Sequence, residues 1–188
     1  GLADQVLPDG PFDMRTGEGQ DIRVTVLARD IEYPYSLAFL PNGDLLFTER
    51  TGRLRIMRKG ALDPNPITGG PVSKYAGKSG GLGAVHGYMS LIVHTNFAQN
   101  QLIYFAYSKP LDATRHTVAV ARARLAGNAL QEVRDIFVGE NLRGALEFAQ
   151  RIGREPARDR RVLPPDPQRL RCVGMGRQVL LEEGLHDA

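Results

Sequence analysis

The chain has 188 residues, of which 42% are hydrophobic, 7% aromatic and 24% charged, a composition typical of a globular domain with a modest core. No apolar run approaches the roughly 18 residues that a membrane-spanning helix needs, and the single cysteine, Cys172, excludes an internal disulfide. The net charge of +3 comes from 24 basic and 21 acidic residues. So small an excess predicts no electrostatic surface for nucleic acid.

Composition changes along the chain and indicates separate regions. The seven Phe and six Tyr residues all lie at or before Phe148, whereas 153–188 carries seven Arg, no Lys and four Pro. We therefore expect 1–21 to be an N-terminal extension, 22–152 a folded β domain, and 153–188 a tail that packs little apolar area. Two origins of that tail stay open: a genuine divergent sequence, or the product of a shifted reading frame.

Apolar and polar residues alternate with a period of two through much of 22–140, which predicts strands. The glycines of Asn42-Gly43 and Thr51-Gly52 supply the positive φ values that tight hairpins require. Because no helical stripe is evident before residue 140, the pattern predicts an antiparallel all-β meander. The predicted strands are 23–27, 45–49, 53–58, 89–94, 101–107 and 117–122.

The meander also contains an internal repeat. The segment 35–41 is matched by 89–95, an offset of 54 residues, and each is followed by a turn and a second apolar strand. This offset is close to the roughly 40–50 residues of a β-propeller blade with one longer loop. The repeat therefore favours a β-propeller, and a plain β-sandwich with similar hairpins is the alternative.

The amino-acid sequence of these strands is more specific than their periodicity. The segment 33–54 closely resembles the first blade of the soluble quinoprotein glucose/sorbosone dehydrogenase family. The Gly-rich loop 80–83, the strand 89–94 and the segment 96–108 resemble the second blade of that family. The resemblance covers about residues 22–152. It implies a six-bladed β-propeller that oxidises aldose sugars with pyrroloquinoline quinone (PQQ), held by Ca²⁺ over the central channel.

The resemblance also implies a catalytic base. In the family, a His at the start of the third blade takes the proton of the sugar's anomeric hydroxyl while hydride passes to the quinone. Glu147 stands at that place, either as a base whose pKa is raised by burial or as a solvated surface residue. His86, which follows the Gly-rich loop, is the better candidate, because an imidazole titrates near neutral pH. The alternative for His86 is a loop histidine bonded to nearby backbone.

Three cations are candidates for cofactor binding. Lys78, Arg143 and Arg151 could pair with the carboxylates of PQQ. The alternative is that all three are ordinary surface cations. No metal ligand is predicted within this chain, because the resemblance places the Ca²⁺ ligands in later blades.

Other polar residues are expected to be structural. His94 is predicted to cap a turn, and Glu49 and Arg50, at the end of a strand, suggest a structural ion pair rather than a site. The sequence predicts no partner for His116 or His186.

Length limits the expected activity. Six blades of about 40–50 residues need more chain than 188 residues supply, so two to three blades are expected, in a fragment that is inactive alone. The resemblance implies a sugar substrate, a separate electron acceptor and a periplasmic or secreted location, without nucleic acid or a membrane span. The alternatives are a non-catalytic β-propeller that binds a protein or glycan, and a Ca²⁺-dependent lactonase-like hydrolase.

Overall fold

The structure, a computed structural model, describes residues 10–75 and 86–139, together with the backbone of three short strands nearer the C-terminus. The chain divides into two compact units, 1–31 and 32–188. The described secondary structure is almost entirely β, with a single helical turn. The prediction of an all-β protein is therefore confirmed.

The first unit contains one antiparallel hairpin. Its strands are β1 (Phe12–Arg15) and β2 (Asp21–Val24). Arg23 pairs with Asp13 across the strands, with Nε 2.7 Å from Oδ1. The strand predicted over 23–27 therefore begins two residues earlier and ends at Val24.

The first sheet of the second unit is a four-stranded antiparallel meander. Both predicted hairpins form: Gly43 has a φ of 86° and Gly52 a φ of 88°, and each glycine N–H donates to a carbonyl three residues earlier, Leu40 and Glu49 respectively. The hairpins join three of the strands in sequence order. The strands are β3 (Pro34–Phe39), β4 (Leu45–Glu49), β5 (Arg53–Arg58) and β6 (Ala61–Leu62).

The second sheet repeats this arrangement, and its last three strands are longer than their counterparts in the first sheet. One helical turn, α1 (Phe97–Asn100), connects its first two strands and ends at Gln101, whose φ is 56°. The order in space is the order in the chain, as in the first sheet. The strands are β7 (Tyr88–Val93), β8 (Leu102–Pro110), β9 (His116–Ala126) and β10 (Ala129–Val138).

The two sheets share one hydrophobic core. It combines side chains of the first sheet, such as Leu46 and Ile56, with side chains of the second, such as Ile103 and Phe105. The repeated first strands, β3 and β7, lie beside each other, and the Leu91 N–H donates to Ser36 Oγ at 3.1 Å. The 54-residue repeat thus corresponds to two equivalent sheets packed on each other, as in neighbouring propeller blades.

A connector at 63–70 links the outer parts of the two sheets. Thr68 forms a parallel bridge with Ala129, beside β10. Its N–H donates to the Asn128 carbonyl at 2.9 Å, and its carbonyl accepts the Leu130 N–H at 2.8 Å. The side chain of Asn128 reaches back to Asp63, with Nδ2 2.8 Å from Oδ2. This connection was not predicted.

A third sheet lies in the C-terminal part of the chain. It is antiparallel and three-stranded, in the order β11 (Arg151–Arg154), β12 (Leu170–Gly174), β13 (Arg177–Leu181). The backbone of β11 lies near β7 and β8. The expectation of two to three blades included the start of a third near Arg151, where β11 begins, whereas β12 and β13 were not predicted. The expectation that 153–188 packs little apolar area stays a prediction. The architecture is that of a partial β-propeller.

Candidate active site

The candidate site forms around His86, which lies two residues before β7. Its side chain is buried, with 8% of the residue exposed. The ring of His116 lies against it, with ring centroids 4.8 Å apart and ring planes inclined by 50°. His116 is the first residue of β9 and pairs with Pro110 at the end of β8. The β8–β9 hairpin therefore places a second imidazole against His86.

Gly87 determines where His86 lies. Its φ is 83°, and a Cβ there would be 1.5 Å from the carbonyl oxygen of Arg50. The Gly87 N–H donates to the Lys74 carbonyl at 2.7 Å, and its carbonyl accepts the Ser108 N–H at 3.0 Å. Only glycine fits so close a crossing of backbone segments. The crossing places His86 beside the β4–β5 turn of the first sheet, which contains Arg50, and β8 of the second sheet, which contains Ser108.

Two cations complete the cluster. Arg50 Nε lies 3.5 Å from the His86 carbonyl oxygen. Lys74 Nζ donates to the carbonyls of Ala113 and Thr114, at 3.1 and 3.5 Å. Lys74 thereby ties the tip of the β8–β9 hairpin to the segment that precedes the Gly-rich loop.

This environment disfavours protonation of both imidazoles. Burial lowers the pKa of His86 below 6.5, and the nearby charges of His116, Arg50 and Lys74 lower it further. Burial also lowers the pKa of His116, with a smaller contribution from Lys74. At neutral pH both rings are therefore uncharged, and an uncharged imidazole can accept a proton.

The other predicted site residues are not brought to this cluster by the described part of the chain. Lys78, Arg143 and Glu147 lie outside the described residues, and of Arg151 only the backbone, in β11, is described. Their proposed roles stay predictions.

Sequence reasoning missed Lys74 and the partner of His116. Lys74 resembles any other loop lysine, and the approach of His116 to His86 depends on the β8–β9 register, since the two residues are 30 positions apart. One signal was present: His116 follows a polar turn and immediately precedes the strand predicted over 117–122, a place where a hairpin can return a side chain to an earlier loop.

His94, which was predicted to be structural, has a structural role. His94 Nδ1 accepts the Asn96 N–H at 2.9 Å and lies 2.9 Å from Asn100 Nδ2, so the ring closes the turn around α1. Its predicted capping of the turn is confirmed.

The ion pair expected at Glu49 is present, with partners other than Arg50. The carboxylate is fully buried and accepts Arg53 Nε at 2.5 Å, while Arg55 Nη1 lies 3.5 Å away. The Glu32 N–H donates to the same carboxylate at 3.0 Å. These contacts compensate a buried charge.

Metal ligands do not cluster in the described part of the chain, where no group of three or more His, Cys, Asp or Glu side chains could hold an ion. Among the same residues, no helix has the length and hydropathy to cross a membrane.

Comparison with known proteins identifies the family. The family model for glucose/sorbosone dehydrogenase matches residues 31–160, which extends past the boundary predicted at 152. An uncharacterised Synechocystis protein, slr1608, is 38% identical over 153 residues, which are 77% of this chain and 35% of that protein. The aldose sugar dehydrogenase YliI of Escherichia coli is 33% identical over 115 residues, 61% of this chain and 29% of YliI.

Solved structures agree. Two glucose dehydrogenase structures, each 32% identical to this chain, superpose with TM-scores of 0.53 and 0.51. They cover 61% and 58% of this chain, which in turn covers 32% and 33% of them. The chain spans about a third of the length of the curated relatives it matches. From the match over 31–160, the chain belongs to the glucose/sorbosone dehydrogenase family.

Proposed function

We propose that this chain is part of a PQQ-dependent oxidoreductase that oxidises aldose sugars to lactones, with His86 as the base. The observation that carries the proposal is the buried, uncharged His86 imidazole within the region that matches the family. Further support comes from the similarity to an E. coli aldose sugar dehydrogenase.

His86 would accept the proton of the sugar's anomeric hydroxyl. When bound, PQQ would supply the acceptor for the C1 hydride, and C1 would become the carbonyl carbon of the lactone. Arg50 and Lys74 repel a further positive charge beside them, so a protonated His86 would readily release its proton to water. The burial and the neighbouring charges that lower the pKa of His86 would thus help it return to its active form.

The remaining assignments rest on the sequence alone. Lys78, Arg143 and Arg151 would bind the carboxylates of PQQ, and Glu147 is the alternative base. The described residues do not fit a Ca²⁺ site, because no cluster of carboxylates is present among them. The ligands of a Ca²⁺ ion would therefore lie in other parts of the protein, as the resemblance implies.

We expect the 188-residue chain to be inactive alone, because it corresponds to about a third of its relatives. A complete protein would act on a sugar, pass electrons to a separate acceptor, and work in the periplasm or outside the cell. Turnover of glucose by the isolated chain with added PQQ and Ca²⁺ would contradict the expected inactivity.

A chimera tests the function. Residues 31–160 replace the matching part of YliI, and PQQ-dependent glucose oxidation is measured with a dye acceptor. His86→Gln should lower kcat by about 10²–10⁴, the usual contribution of a general base. His94→Gln is the matched control, since His94 closes a turn away from the cluster. Full activity of the His86→Gln chimera would remove His86 from the mechanism.

A further inference from the structure

The ring of His116 is the described side chain in aromatic contact with His86. The two rings meet at a centroid distance of 4.8 Å, although one residue follows the Gly-rich loop and the other begins β9. Neither the resemblance nor the sequence pattern gave His116 a role.

We infer that His116 is a positioning residue for His86: its ring, fixed at the start of β9, holds the His86 imidazole in one orientation. The inference deepens the proposed function, since the orientation of His86 matters only if His86 reacts. A general base must present one particular nitrogen to the proton that it removes.

His116 is itself held firmly. Its backbone pairs with Pro110, and the hydroxyl of its neighbour Thr117 donates to the Gly139 carbonyl at 2.9 Å. On the other side, Asp112 Oδ1 accepts the N–H groups of Thr114 and Arg115, at 2.9 and 2.7 Å. The hairpin that carries His116 is therefore ordered up to its tip.

Lys74 fixes the hairpin relative to His86. Its ammonium donates to two carbonyls of the hairpin tip, while its own carbonyl accepts the Gly87 N–H at 2.7 Å. One residue thus holds both the element that carries His116 and the residue after His86. The distance between the rings is set from both sides.

The charges around His86 explain why an imidazole suits position 116. The charged or titratable groups that act on His86 are His116, Arg50 and Lys74, and all three are basic. A permanent cation in place of His116 would add repulsion at every pH. An uncharged imidazole at neutral pH packs against His86 without that charge.

Ring NMR of the 188-residue chain tests the inference without any activity measurement. The four histidines are assigned with single variants, and the pKa, tautomer and ring contacts of His86 are recorded. His116→Phe keeps an aromatic ring of similar size, and His116→Ala removes it. His116→Ala should raise the His86 pKa towards its ordinary value and broaden or shift its ring signals, because the ring gains solvent and freedom.

His116→Phe should preserve the His86 tautomer and the cross-peaks between the two rings. The His86 pKa should rise less in His116→Phe than in His116→Ala, because only the charge of the neighbour is removed. If the His86 tautomer and pKa are the same in the wild type and both variants, His116 is not a positioning residue. Full activity of the His86→Gln chimera of YliI would instead refute the proposed function. That result would leave these ring measurements unchanged.

Discussion

Thr48 Oγ1 donates a hydrogen bond to the carbonyl oxygen of Met89 at 2.7 Å, and both residues are fully buried. The bond joins β4 of the first sheet to β7 of the second. Because the same hydroxyl also accepts the Ser36 N–H at 3.2 Å, it connects three strands at the centre of the packed pair.

Thr48→Val keeps the shape of the side chain and removes this hydroxyl. We expect a loss of about 1–3 kcal/mol in the free energy of unfolding, since a buried carbonyl and N–H lose their partner. Urea denaturation of the chain measures it. Thr114→Val, at an exposed turn, is the control and should change stability by less than about 0.5 kcal/mol. Equal effects of the two variants would contradict a role of Thr48 in joining the sheets.

Gly87→Ala should be among the most damaging small substitutions. The new Cβ would overlap the Arg50 carbonyl oxygen at 1.5 Å, in a backbone conformation with φ of 83°. We expect a cost of about 3 kcal/mol or more, because the backbone must move as well as the side chain. Gly43→Ala has a similar φ and no atom within 4 Å of the added Cβ, so it should cost only about 1 kcal/mol. Thermal denaturation measures both variants. A lower melting temperature for Gly43→Ala than for Gly87→Ala would refute the close backbone crossing at Gly87.

Glu49→Gln should destabilise the chain by about 3–5 kcal/mol, because Arg55 loses its buried counter-charge. Glu32→Gln is the matched control: Glu32 pairs with Arg53 at 3.0 Å but is 57% exposed. Its loss should cost less than about 1 kcal/mol. Chemical denaturation of the two variants compares them directly, and a near-neutral Glu49→Gln would show that the buried pair adds no stability.

Acid should weaken the fold through the histidine pair. The pKa values of His86 and His116 are lowered by folding, so below about pH 6.5 the unfolded chain binds protons that the folded chain does not. Stability is therefore fully present above that pH and declines as pH falls through the lowered values. Melting temperatures between pH 7.5 and 5 measure the decline. The double variant His86→Phe/His116→Phe should show a shallower decline. If the melting temperatures of the wild type and the double variant fall with the same slope, the histidine pair is not the source of the decline.

Local signals in the sequence account for much of the first two sheets. The glycines after Asn42 and Thr51 adopt the positive φ that their turns require, and the strands at 45–49 and 53–58 match the structure residue for residue. Such features depend on neighbours in the chain, so a period of two and a turn residue suffice to predict them.

Features that depend on distant residues were not predictable in this way. The helical turn Phe97–Asn100 is too short to show a period. β10 was not predicted, because a bulge between Gln131 and Arg134 interrupts its alternation. The same holds for the site. His86 could be proposed from its loop, whereas its contact with His116 exists only once the hairpin register is set.

The connector at 63–70 affects how the two sheets unfold. Its bonds beside β10 join residues 60 or more positions apart in the chain, so their formation closes a large loop. Once made, they tie the outer strands of both sheets together. The backbone amides of Thr68 and Leu130 then exchange with solvent only when that link separates, and the two sheets lose protection as one cooperative unit rather than strand by strand.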